Sequence, residues 1–267
     1  MLIVVGIVLL ILGVVLFLMR RSQQSKLMDI MGTKTSTSQE LQKAAEYVAE
    51  RLGQQGSFKQ IAEVKGVLKC DSPLRSEIAQ EPCVYYSMTV TREYEETYWE
   101  TDSKTKRRQR RTRRGSEVVS QNSQRIPFWV EDSTGSILVN PEGADIDAVQ
   151  VIDKFENNTG GVITLGGFSF DVGSLVGQFL SDSRTLGYRF RESILPIGRQ
   201  IYVLGEAADT TGKIQVQKPS GKEKFIISLK SEEELIRSTK SAAQWMLIGA
   251  IVSGIAGAAL TIVGLFQ

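Results

Sequence analysis

The sequence predicts a mainly β domain, an antiparallel sandwich or an open barrel with flanking helices, bracketed by two transmembrane helices. Three observations predict it. Charge-free apolar runs occupy residues 2–19 and 245–266, residues 58–229 divide into short β-prone runs separated by Gly, Pro and Asp turns, and a helical apolar period lies between.

The first run has 18 residues with no charged or hydrogen-bonding side chain and ends at Arg20 and Arg21. A secretory signal would carry positive charge before the run and a small-residue cleavage site after it, so residues 1–21 are read as a retained anchor with a basic flank. Residues 22–56 are then a linker and an amphipathic helix. Residues 22–38 are polar and short of large apolar side chains, the linker part. Thr37 and Glu40 have capping-box spacing ahead of Leu41, Ala44, Ala45, Val48 and Leu52, which predicts a helix of about four turns ending at Gly53. Glu40, Glu46 and Glu50 oppose an anionic leaflet, so this helix is expected to pack on the domain.

Residues 57–230 are read as the β domain. Strands are predicted at 61–68, 83–99, 126–131, 136–139, 148–155, 188–195, 199–206, 213–217 and 223–229. In the second of these, Tyr86, Met88, Val90 and Tyr94 alternate onto one face. Residues 157–187 are glycine-rich and match neither a dinucleotide nor a Walker phosphate motif; an irregular loop with a short helix near 174–180 is expected. Residues 231–267 form the last segment, in which Ser231 and Glu234 repeat the capping box and open a helix that runs into the second span. As a helix at ~1.5 Å per residue, residues 245–266 cross a hydrocarbon core of about 30 Å. Gly249, Ser253 and Gly257, continued by Thr261, lie four apart on one face. Such a row has two readings: close helix packing, including a lateral homo-oligomer through this span, or the ordinary glycine and alanine content of membrane helices.

Composition excludes more than it selects. There is no histidine, and the two cysteines are Cys70 and Cys83. That removes Ser-His-Asp and Cys-His nucleophile systems and four-ligand Cys/His zinc sites, so no enzyme activity, cofactor or metal is expected. Asp145, Asp147 and Asp153 suit turns and strand edges rather than a paired-carboxylate site. Cys83, beside apolar Val84, is read as a core thiol, and both cysteines as reduced.

The net charge of +2 implies no polyanion partner for the chain as a whole, but its distribution is uneven. Lys104, Lys106, Arg107, Arg108, Arg110, Arg111, Arg113 and Arg114 fall within 11 residues. The cluster has three readings: a solvated mobile loop, pairing along a hairpin with Glu93, Glu95, Glu96, Glu100 and Asp102, or docking onto an anionic lipid surface. Nucleic-acid binding lacks any fold signature here. Arg20, Arg21, Lys26, Arg237 and Lys240 lie on the domain side of the spans, which places the β domain on the cytoplasmic side of a bacterial inner membrane or an organellar membrane.

Residues between about 60 and 230 also resemble a known family. They are Pro73, Leu74 and Ser76, Pro82 to Tyr86, Pro127, Phe128, Asp132, Gly135, Val139, Pro141 and Ala144, then Gly187 to Arg189, Glu192, Leu195 to Gly198, Tyr202 to Gly205 and Phe225 to Ser228. The pattern is similar to the GIDE, or BAM ("beside a membrane"), domain of membrane-anchored ubiquitin ligases of mitochondria and chloroplasts and their bacterial relatives. The resemblance implies recruitment of protein partners beside a bilayer. Those ligases carry a zinc-binding RING after the second span, whereas this sequence ends one residue past that span and lacks the eight Cys or His ligands a RING needs. A RING-less, non-catalytic member is expected, with a RING supplied on another chain as the alternative.

Overall fold

The computed structural model describes residues 2–52, 56–101, 107–173, 183–209 and 212–266. The first apolar run lies in α1 (Leu2–Gly32), which continues well past Met19. The linker expected at residues 22–38 is therefore helical as far as Gly32, a correction to the sequence reading. Gln23, Gln24, Lys26, Leu27 and Met28 are good helix formers. The helix also gains a buried anchor, because Ile30 is 0% exposed among Tyr202, Leu204, Ile226 and Leu235.

α2 (Ser38–Leu52) begins with the predicted capping box: the Glu40 N–H donates to Thr37 Oγ1 at 3.2 Å, and the Thr37 N–H donates to the Glu40 carboxylate at 3.0 Å. Asp132 holds the same turn by accepting from the Ser38 N–H at 2.6 Å. Leu41 and Ala45 face inward, and Gly53 lies outside the described residues. α3 (Glu232–Leu265) opens on the second predicted box, with both Ser231 and Glu234 side chains in place.

α1 and α3 pack antiparallel on each other. The approach is close because glycines meet small or backbone atoms. A Cβ on Gly6 would lie 2.9 Å from the Gly257 carbonyl oxygen, and one on Gly13 would lie 3.1 Å from Ser253 Oγ. Outward side chains such as Val8, Ile11, Ile251 and Ile255 are exposed, unlike those of a soluble core helix. Both helices are long and apolar enough to cross a membrane. Beyond the apolar runs each carries a polar extension, residues 20–32 and 232–244, of about 20 Å at ~1.5 Å per residue.

The chain divides into two compact units. The first contains all three helices and the strands β1 (Lys59–Lys69), β5 (Phe128–Asp132), β6 (Gly135–Val139), β7 (Asp145–Asp147), β12 (Gln200–Ala208), β13 (Gln215–Gln217) and β14 (Ile226–Ser228). Strand order β1-β5-β6-β13-β12 returns to β1 through a β1–β12 pairing, which closes a five-stranded barrel; β14 and β7 extend from β12. The sheets are antiparallel as expected where β12 pairs β13 and β14, while β13 pairs β6 and β14 pairs β7 in parallel. One face of β12 carries Tyr202 and Leu204 to the helices, and Ile201 and Val203 between them are also buried. A strand covered on both faces reads as the unbroken apolar run seen in its sequence.

The second unit is a five-stranded sheet of β2 (Leu74–Arg75), β3 (Pro82–Thr101), β4 (Arg108–Arg125), β8 (Val149–Glu156) and β11 (Ser183–Pro196), with the hairpin β9 (Val162–Leu165) and β10 (Phe168–Asp171). Residues 157–187, expected as an irregular loop, contain that hairpin and the start of β11. Gly166, at φ +54°, supplies its tight turn, where the Ile78 carbonyl leaves no room for a Cβ. Ile163, Leu165, Phe168 and Phe170 then cover Met88, Val90, Tyr188 and Phe190. The helix expected near 174–180 lies outside the described residues.

Candidate functional site

The described part of the arginine cluster is solvent-exposed and, from Arg108 on, forms a strand paired along a hairpin, as one of its three readings has it. Arg108 to Arg114 begin β4, which pairs antiparallel with β3 from Thr101 inward; Lys104 and Lys106 lie outside the described residues. Carboxylates stand opposite or diagonal to the guanidinium groups and offset the repulsion among them. Glu96 meets Arg113 at 2.8 Å, Glu95 meets Arg114 at 3.2 Å and Glu100 meets Arg111 at 3.0 Å. At the root of this ribbon Arg92 is buried, donating to Thr185 Oγ1 at 2.7 Å, Glu117 at 2.6 Å and Ser183 Oγ at 2.9 Å. Trp99 and Tyr98 remain exposed, with Arg108 stacked 5.5 Å from the Trp99 ring and Arg113 5.8 Å from that of Tyr98.

The small-residue row of α3 faces α1 of the same chain. Gly257 approaches Gly6 and Leu10, Ser253 approaches Gly13, and Gly249 approaches Leu16. Ser253 and Thr261 return their hydroxyls to the carbonyls of Gly249 and Gly257 at 2.7 Å, so neither adds an unpaired polar group to the apolar stretch.

A third cluster escaped the sequence reading. Glu63 on β1 is 0% exposed; it accepts from the Tyr202 hydroxyl at 2.9 Å and the Thr35 hydroxyl at 2.5 Å. Lys65 bridges it, at 2.9 Å, to Glu232 in the first turn of α3, at 2.7 Å. Burial opposes the Lys65 charge, but the bonds to Glu232 and Glu63 outweigh it and raise its pKa. Tyr202 is pushed well up by burial and then by Glu63. A cavity of about 370 Å³ opens beside the cluster, lined by Lys65, Gln200, Tyr202 and Glu232. The one signal was a carboxylate inside the apolar run Ile61, Ala62, Val64.

Cys83 is pushed up to about 11, by burial first and then by the Glu192 charge, so its thiol keeps its proton at neutral pH. Both cysteines are free. Asp145 pairs with Lys26, Asp147 with Lys230 and Asp153 with Arg189. Among the described residues no group of three His, Cys, Asp or Glu side chains could hold a metal ion.

The pairing of two membrane-competent helices on a small β barrel narrows the comparison with known proteins. The family model GIDE, described as E3 ubiquitin ligase, matches residues 96–264, more than half of the chain. The chain belongs to the GIDE family. No curated protein and no solved structure matches it. The GIDE match starts within β3 and runs almost to the end of α3, so it takes in the arginine ribbon, most of both β units and the second apolar helix.

Proposed function

We propose that the chain is a two-span membrane protein that presents a non-catalytic GIDE domain beside the bilayer for binding partner proteins or an anionic membrane surface. The observation that carries this reading is the continuity of α1 and α3 with the barrel. Each helix leaves its apolar run without a break, and Ile30 and Leu235 join the barrel's own cluster. Lys26 to Asp145 at 2.7 Å and Lys65 to Glu232 at 2.7 Å fasten the same ends by charge. Such a stalk holds the barrel about 20 Å from the bilayer, a distance from which a binding domain serves partners. Basic residues beside both spans support a cytoplasmic-side domain in this reading. Contact between neighbouring chains in the membrane would use the outer faces of α3, because its small-residue row already meets α1.

The test is membrane extraction combined with thiol labelling in intact cells. The full chain should stay in the pellet after alkaline washing and leave it only with detergent. A membrane-impermeant maleimide should reach a cysteine placed at Lys69, beside Cys70, only after the cells are opened. Release without detergent would overturn the reading.

A second reading is a component of a ubiquitin-like conjugation system whose RING sits on another polypeptide. The family's E3 ligase description favours it, while these 267 residues hold no histidine and two cysteines and cannot build a RING themselves. Conjugation unchanged on deleting the gene would remove it.

A further inference from the structure

Strand alternation divides the arginine cluster in a way its composition hides. Residues directly opposite across β3 and β4 share a face, and successive pairs alternate sides. One face carries Tyr94, Glu96, Tyr98 and Glu100 from β3 and Arg111 and Arg113 from β4. Both arginines there are bound to carboxylates, Arg111 to Glu100 and Arg113 to Glu96, so this side is neutral. The other face carries Glu95, Thr97, Trp99, Arg108, Arg110, Thr112 and Arg114, and Arg184 of β11 joins it opposite Glu95. Four arginines there face one carboxylate, and Arg114 takes that one. Among the described residues neither Arg110 nor Arg184 has a carboxylate partner. Glu95, Thr97, Trp99, Arg110, Thr112 and Arg184 line a shallow concavity of about 560 Å³.

We infer that this single face, centred on Trp99, Arg110 and Arg184, docks onto an anionic phospholipid surface. This rests on the membrane reading above and assigns its surface. Three features select lipid as the occupant. An exposed indole flanked by arginines is the side-chain pairing that settles at headgroup level, with the ring among the upper acyl carbons and the guanidinium groups on phosphates. The face is open and shallow, as contact with a bilayer surface needs, with the Thr97 and Thr112 hydroxyls between its charges. A chain already anchored in the bilayer meets that surface at high effective concentration.

The test uses the full chain in phosphatidylcholine nanodiscs, offered vesicles of phosphatidylcholine with or without phosphatidylserine. The wild type should capture only the phosphatidylserine vesicles. Each basic residue at such a surface is worth about fivefold, so Arg110→Gln with Arg184→Gln should weaken capture about 25-fold. Arg111→Gln with Arg113→Gln removes the same formal charge from the neutral face and should change it less than about twofold. Trp99→Ala should weaken capture and, in its presence, abolish the blue shift of fluorescence on vesicle binding. Equal losses from the two arginine pairs would overturn the inference in favour of bulk charge. Competition by equimolar RNA or an acidic polypeptide would overturn lipid as the occupant, and competition by inorganic phosphate would indicate a small-anion site instead. Unchanged thermal melting of both pairs confirms that folding is intact. Loss of vesicle capture leaves membrane extraction unaltered, so the two readings fail separately.

Discussion

The Glu63 cluster and the arginine ribbon use the same chemistry under opposite conditions. The Glu63 carboxylate is fully buried, and Tyr202, Thr35 and Lys65 all converge on it. On the ribbon, water competes for every charge, and carboxylates serve only to let neighbouring arginines share a strand. Charge pairing in the first place fixes a structure, because an orphaned member would cost its full desolvation; in the second it is cheap to break and leaves charge available for a ligand.

The sharpest way to break that contrast is to delete one carboxylate from each. Glu63→Ala leaves two hydroxyls and an ammonium without their common acceptor and should cost about 3 kcal/mol of stability, read as thermal unfolding in detergent. Equal behaviour of Glu63→Ala and an exposed carboxylate variant would show that burial is not what separates the two regions.

The alkaline limb of the stability profile extends the contrast to Cys83, whose pKa is raised first by burial. Cys83 moves from 9.0 to about 11, which means the folded state keeps a proton that the unfolded chain gives up. Its contribution is complete below pH 9.0 and should fall by about 2–3 kcal/mol as pH rises to about 11. Lys65, raised from 10.5, adds to the loss at the upper end of this window. Cys83→Ala should flatten the first part of the limb, and a thiol reagent at neutral pH should modify half-buried Cys70 while sparing Cys83.

The smallest effect is expected on the ribbon. Glu100→Gln breaks a pair that is more than half exposed on both sides and should leave the melting temperature unchanged within error. It should instead add net positive charge to the neutral face and raise affinity for anionic vesicles only slightly. A clear loss of stability would mean that the ribbon's pairs hold the hairpin together.

The helices and strands were legible wherever a local pattern had a local cause. Both capping boxes appear because each couples residues three apart, and Ser231 and Thr37 need nothing distant to satisfy them. The strand at 188–195 was found by its apolar and β-branched content; its extension to Ser183 was not, because residues 183–187 pair with β3 without an apolar signal of their own. The arginine strand follows one of the readings its sequence offers, pairing along a hairpin with the preceding glutamates. Its β conformation comes from the long backbone ladder to β3, with Glu95, Glu96 and Glu100 offsetting the repulsion among its arginines, and self-repulsion is all that a window confined to residues 104–114 contains. The helical stretch before Gly32 is fixed by a distant contact, Ile30 on Tyr202 and Leu204, which spans some 170 residues of sequence.

By itself the sequence determined two oily rods, their flanking charges, the spacing of short strands and the absence of any histidine-dependent or RING chemistry within these residues. Those properties are set by neighbours a few positions apart or by composition alone. Only the tertiary structure decided that β12 returns to β1 and closes a barrel, that β6 and β7 receive parallel partners, that the glycine row of one rod is filled by the other, and that a dense basic run has a neutral side and a charged one. Each of these depends on which distant segments meet, and the free energy that chooses between pairings is gained only when apolar faces and buried polar groups find partners across the whole chain.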